Sequence, residues 1–231
     1  MFKRTALAFA SFVLLSNASA AVIGMGTNSY YTDTLRQNLI SQGHSVTLYS
    51  SYTAATLAGL DAYIQEGNSF FNAGLLDTFV FNGGTLVEIP WSFTHNTFTT
   101  ATKVFNTRTG TSSGTSSGIT VLSAADWLLD GVVVPATVSA GREVGNTFAA
   151  GTQQVLKYTD GTAMLGYKEY GQGVSVAFNV HLITSDSKPL NAAWSNQIIY
   201  NAIDGKVPEP ASLALLALGL AGIAAVKRRK A

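Results

Sequence analysis

The run AVIGMGTNSYYTDTLRQNLISQGHSVTLYS, Ala21 to Ser50, sets the fold class. Ala21 to Gly26 is an apolar strand ending in glycines. Thr32 to Gln42 then places Leu35, Leu39 and Ile40 at helical spacing, with Gly43 as a stop. His44 to Ser50 alternates Val46 and Leu48 as a second strand, with His44 read as a solvated turn residue at its entry. A strand, a helix and a strand in this spacing form a βαβ unit, whose crossover is right-handed and whose strands are parallel.

The pattern continues outward. After a short Thr/Ala segment, Leu60 to Gln65 reads as a third strand. Ala73 to Phe81 carries Leu75, Leu76, Phe79 and Val80 on a helix closed by Asn82-Gly83-Gly84, and Thr85 to Ile89 is a fourth strand ended by Pro90. The second half is less regular. Gly110 to Gly118 (GTSSGTSSG) reads as a flexible surface turn or insertion, and Asp126 to Val134 as an apolar segment of open type. Gln153 to Tyr158, Ala163 to Tyr170 and Val174 to Val180 are consecutive strands joined at Asp160-Gly161 and Gly171-Gln172-Gly173, an antiparallel extension at one sheet edge. Ala192 to Ile203 is the closing helix, with Trp194, Ile198, Ile199 and Ala202 inward. The expected class is therefore α/β: a mostly parallel sheet flanked by helices, with an antiparallel edge extension.

Both ends carry addresses. Lys3 and Arg4 precede an apolar stretch from Thr5 to Leu15, and Ala18-Ser19-Ala20 supplies the small residues a signal peptidase needs, so cleavage after Ala20 is expected. At the other end stand Pro208-Glu209-Pro210, an apolar run from Ala211 to Val226, and the cluster Lys227, Arg228, Arg229, Lys230. The prolines hold the segment extended and open to an enzyme's cleft. A run of about 16 residues makes a helix of about 24 Å, short for a span, which flanking cations extend by snorkelling and stop on the cytoplasmic side. The expected division is residues 1–20 as signal peptide, 21–204 as exported domain, and 205–231 as sorting signal with a transmembrane helix over 211–226.

Composition agrees with export. Six of the 14 basic residues lie in the two end segments, so Ala21 to Lys206 carries eight basic against 12 acidic side chains, a charge of about −4. That leaves no basic face suited to nucleic acid. The absence of cysteine excludes disulfides, thiolate metal sites and cysteine nucleophiles. The roughly 186 residues between the ends suffice for one well-buried domain.

The order of motif, span and basic tail closely resembles the PEP-CTERM sorting signal of bacterial surface proteins. The resemblance covers about the last 25 residues. It implies an exosortase as partner, passage through the inner membrane, and a cell-surface or matrix destination in a Gram-negative bacterium that makes extracellular polysaccharide. A plain C-terminal anchor is the competing reading. The segment from Ala21 to Pro90, with YGQGVSVAFNVHL (Tyr170 to Leu182) and the final helix, resembles a class I glutamine amidotransferase-like fold, nearest its ThuA-like branch. In amidotransferases a cysteine sits on a strained turn after the strand matching Thr85 to Ile89. Here that turn reads Ile89-Pro90-Trp91-Ser92, and the matching histidine position is His181. Without its nucleophile the triad cannot form a thioester, which excludes amidotransferase activity.

Candidate sites follow from position. Gly24, Gly26 and Asn28, after the first strand, could let a ligand approach backbone, although the third glycine of a dinucleotide fingerprint is missing and tight-turn glycines are the competing reading. No cofactor is expected. Glu88, Trp91, Ser92 and His95 cluster after the fourth strand, where open α/β sheets place their sites. Trp91 could stack on a sugar, and Glu88, His95 and His181 could act as acid, base or polar ligand. The competing reading has Trp91 in the core and His95 on an exposed loop. Ser92 lacks the G-x-S-x-G surroundings of a nucleophile elbow. Three histidines without close spacing, and loop-biased carboxylates (Asp126, Asp130, Glu143, Asp160, Asp186) without calcium-loop spacing, give no metal site. Three functions stand: a non-catalytic exported protein held with exopolysaccharide, a glycan hydrolase using Glu88, His95 and His181, and a glycan-binding module using Trp91 and nearby tyrosines.

Overall fold

The computed structural model describes residues 20–26, 33–65, 71–94, 101–106, 109–112, 116–181 and 192–205. Its first half is the expected alternation: β1 (Val22–Gly26), α1 (Asp33–Ser41), β2 (Ser45–Tyr49), α2 (Ala54–Ala58), β3 (Ala62–Gln65), α3 (Ala73–Phe81) and β4 (Thr85–Glu88). Then come β5 (Gly110–Ser112), β6 (Ser116–Val121), β7 (Thr137–Ser139), β8 (Arg142–Val144), β9 (Gln153–Tyr158), β10 (Ala163–Tyr170), β11 (Gly173–Phe178) and α4 (Ala193–Asp204).

The main sheet has nine strands in the order β2-β1-β3-β4-β11-β10-β9-β6-β7, and β5 pairs with β8 in a separate ribbon. The five strands from β2 to β11 are parallel, and every pairing from β11 to β7 is antiparallel. The fold class is therefore the one expected, a mostly parallel α/β sheet with an antiparallel extension.

Strand alternation sorts side chains into two layers. Ile23, Met25, Ile64 and Val87 join Leu35 and Leu39 of α1 and Ile198, Ile199 and Ala202 of α4 in one core. Tyr63 and Leu86 point the other way, onto Leu57 of α2 and Leu76, Phe79 and Val80 of α3. Helices on both faces explain why the parallel strands read as nearly continuous apolar runs. Ile40, expected inward, is exposed, because the buried stripe of α1 runs through Leu35 and Leu39.

Three expectations need correction. The Thr/Ala segment forms α2, whose first turn is capped by the Thr53 hydroxyl accepting from Thr56 N at 3.2 Å. Gly110 to Gly118 is not a plain flexible loop: β5 pairs with β8, and β6 inserts between β7 and β9. His44 is buried, not solvated, since Ala21 and α4 close over it. Within Asp126 to Val134, Trp127–Leu129 forms a single 3-10 turn capped by Asp126. Among the described residues no helix is long and apolar enough to cross a membrane, and the expected span over 211–226 lies outside them.

Candidate functional site

Parallel pairing delivers the carboxyl ends of the strands to one edge. Gly26 sits beside Tyr49, and Glu88 lies between Gln65 of β3 and Ala177 of β11. Glu88 is fully buried and accepts a 3.2 Å hydrogen bond from Ser175 Oγ. Burial pushes its carboxyl up to about 8. The Ser175 bond opposes this, the Glu143 and Asp77 carboxylates raise it further, and Lys103 lowers it. At neutral pH Glu88 is therefore mostly protonated, a hydrogen-bonding acid and not a base.

The chain then turns sharply. Ile89 N donates to Gln65 O at 3.2 Å, and Trp91 adopts φ 76°, the sole positive φ at a non-glycine among the described residues. Such a backbone costs about 1–2 kcal/mol in an L-residue and persists only where surroundings hold it. Two contacts do so. Trp91 N donates to Glu143 Oε1 at 2.9 Å, and the indole meets the His181 ring edge-on at 5.4 Å between centroids. The strained turn implied by the resemblance is thus present, and it carries an indole. Ser92 Oγ donates to Ile89 O at 2.5 Å and is buried, so its hydroxyl is committed to its own turn.

The support for this turn comes from far along the chain. Glu143, read from sequence as a loop carboxylate, lies in β8 and is fully buried. Its backbone N–H donates to Asn179 Oδ1 at 2.9 Å, and Asn179 Nδ2 returns a bond to Glu143 O at 2.8 Å and another to Ala163 O at 3.0 Å. Asn146 Nδ2 approaches Glu143 Oε2 at 3.4 Å. Tyr158 OH donates to Asn179 O at 2.6 Å, and His181 N to Gly141 O at 2.8 Å. Sequence reasoning names Glu143 only as a loop carboxylate and does not single out Asn146 or Asn179. The one local signal was an amide inside the apolar run VSVAFNVHL.

The fold thus brings Glu88, Trp91, Ser92 and His181 to one sheet edge. His95 and Asn28 lie outside the described residues, as do Ala18, Pro208, Glu209, Pro210, Lys227, Arg228, Arg229 and Lys230. Ala20 is exposed immediately before buried Ala21. Gly26 ends β1 at the candidate edge. Gly24 lies mid-strand, where a Cβ would come within 2.5 Å of Leu60 Cδ1 and 2.8 Å of Tyr63 Cδ2, so close packing accounts for it. Among the described residues no group of three or more His, Asp or Glu is placed to hold a metal. A cleft of about 530 Å³ opens at the opposite end of the sheet, between α2 and α3, lined by Leu57, Leu60, Leu75, Phe79 and Gln172 among others.

Residues 206–230 match the PEP-CTERM protein-sorting motif. The chain carries a PEP-CTERM sorting signal. That supports an exported protein sorted to the cell surface by an exosortase. Solved structures resemble the domain. A cytoplasmic protein from Salmonella typhimurium aligns with TM-score 0.61 at 12% identity, over 80% of this chain and 98% of that one. A ThuA-like protein from Parabacteroides merdae aligns with TM-score 0.56 at 11% identity, over 81% and 91%. A β-galactosidase from Bacillus circulans aligns with TM-score 0.51 at 14% identity, over 79% of this chain and 30% of that one. At these identities the likeness is one of fold, and that fold is ThuA-like. No curated protein sequence matches the chain.

Proposed function

We propose that the PEP-CTERM protein is a non-catalytic surface protein, delivered by an exosortase and held in the exopolysaccharide of a Gram-negative bacterium. In this reading signal peptidase removes residues 1–20, the α/β domain of residues 21–204 is displayed outside, and residues 205–231 are the sorting tail. Residues 211–226 hold that tail in the inner membrane until an exosortase acts at Pro208-Glu209-Pro210, with Lys227, Arg228, Arg229 and Lys230 as the cytoplasmic stop. The sorting motif at residues 206–230 carries the proposal. The geometry of the domain supports the non-catalytic half. An indole occupies the strained turn, Ser92 Oγ is spent on Ile89 O, and Glu88 is buried with Ser175 Oγ on its carboxyl. A hydrolase built on Glu88, His95 and His181 would need carboxyl groups open to substrate, whereas Glu88, although protonated as a general acid must be, is buried with Ser175 Oγ on its carboxyl. The half-buried Trp91 is the side chain of this edge best suited to touch a glycan.

The test is intact mass and fractionation of the native protein from cells with and without the sorting enzyme. The expected mature chain begins at Ala21 and ends near Pro208 to Pro210 only when the enzyme is present, and it fractionates with the polysaccharide. A form ending at Ala231 in the inner membrane under both conditions overturns the sorting half. Release of reducing sugar from the cell's own polysaccharide by the purified protein overturns the non-catalytic half.

A further inference from the structure

His44 joins the two ends of the domain. Its Nδ1 accepts from Ala21 N at 3.2 Å inside the fold. An acceptor at Nδ1 places the proton of the neutral ring on Nε2. Nε2 faces Asp204 Oδ1 at 3.7 Å, and both atoms are buried without a hydrogen-bond partner. Asp204 is the last residue of α4, two residues before the sorting motif begins. Ala21 itself is fully buried, while Ala20 is exposed. A second carboxylate stands close by, since Asp61 Oδ2 accepts from Val22 N at 2.7 Å. An ordinary strand entry needs neither a buried imidazole on its first amide nor an acid on its second.

From this arrangement we infer that His44 and Asp204 form a receptor for the α-ammonium created at Ala21 when the signal peptide is removed, tying the new N-terminus to the root of the sorting tail. The inference rests on the proposed cleavage after Ala20. Hydrolysis adds water across the Ala20–Ala21 bond, leaving a carboxylate on the departing segment and an amine on Ala21. That amine has an ordinary pKa of about 8 and is largely protonated at neutral pH. In the precursor Ala21 N is a neutral amide with one N–H for His44. After cleavage the same nitrogen carries a positive charge and three N–H groups. It then donates a charge-assisted bond to Nδ1, whose ring presents Nε2–H to the Asp204 carboxylate. The Asp61 carboxylate beside Val22 adds a second negative neighbour. Proteolysis at one end thus tightens the last turn of α4 at the other.

The experiment compares two full-length chains, one beginning at Ala21 and one beginning at Ala20, each released from a cleavable fusion. The probe is hydrogen exchange of the Gly205 amide, which donates to Asn201 O at 2.9 Å in the last turn of α4. A charge-assisted bond in place of a neutral one predicts exchange about tenfold slower in the chain that begins at Ala21. In D204N, an isosteric change at a helix-end side chain one-third exposed, the ratio between the two chains should fall to about one. A ratio near one in the native sequence overturns the inference, and so does an undiminished ratio in D204N. Mass analysis of the exported protein separates this from the cleavage reading. A native N-terminus other than Ala21 sinks that reading, whereas the two defined chains test the receptor either way.

Discussion

Replacing Glu88 by Gln tests the buried acid at the head of β4. Gln keeps the side-chain shape and retains an oxygen for Ser175 Oγ, while removing the titration. Glu88 titrates at about 8 in the fold against an ordinary 4.5, because burial penalises its charged form. Between those values the folded chain binds a proton that the unfolded chain has lost. Stability from this group is therefore complete below pH 4.5, declines as pH rises, and is gone above pH 8. At 1.36 kcal/mol per pKa unit the ceiling is about 5 kcal/mol across that window. E88Q has no such loss, so its stability relative to the native protein should improve steadily from pH 4.5 to pH 8. Urea unfolding of both proteins at half-unit steps measures the difference. Other shifted acids, such as Asp126 and Asp204 (raised) and Asp160 (lowered), occur in both chains and cancel. A difference that stays flat across the window would refute the reasoning, because it would mean that Glu88 is ionised inside the fold.

At position 91, Trp91→Ala loses the contact with His181 and keeps the strain, whereas Trp91→Gly loses the contact and relieves it. Gly should be more stable than Ala there by about 1 kcal/mol in urea unfolding, the reverse of their order at an ordinary site. Asn179→Leu removes three side-chain hydrogen bonds and leaves the partners on Glu143 and Ala163 buried, so a loss of about 3 kcal/mol or more is expected from the unfolding midpoint. Gly173→Ala places a Cβ 2.3 Å from the backbone oxygens of Gly84 and Val80 and should prevent stable folding at 37 °C. Gly161→Ala, at φ 88° with open space around it, should cost only about 1 kcal/mol; thermal melts of the two separate steric from conformational cost.

The first half of the fold was legible because its signals are local. The pattern from Ala73 to Phe81 gives α3 to the residue, and Gly43 and Gly83, at φ 96° and 109°, mark helix ends in the sequence as in the structure. The short α2 was missed, since five residues of Ala, Thr and Leu carry no helical period and the helix rests on the Thr53 cap. β5 and β6 were missed for a different reason. GTSSGTSSG has little β-branched or aromatic content, and its residues are held in strands by pairing with β8, about thirty residues or more away, and with β7, about twenty away. The candidate edge divides the same way. Glu88 and Trp91 were visible because they follow a strand that could be read. Glu143 was one acid among several in a weakly patterned region, and its burial is decided by Asn179, 36 residues away.

The missed residues also explain how an exported chain without cysteine holds a long antiparallel extension onto a parallel sheet. Disulfides commonly serve that purpose outside the cell. Here Asn179, just past β11, ties β8 through Glu143 and β10 through Ala163, while its own carbonyl accepts from Tyr158 of β9. Arg142 of β8 lies 3.9 Å over the Tyr158 ring and donates to Ser117 of β6 and to Asp160. One cluster of polar side chains thereby pins four strands. It ends on Glu143 Oε1, which accepts from Trp91 N and holds the strained turn. At the candidate edge the Glu143 carboxylate and the Asn179 amide are thus both turned toward the protein.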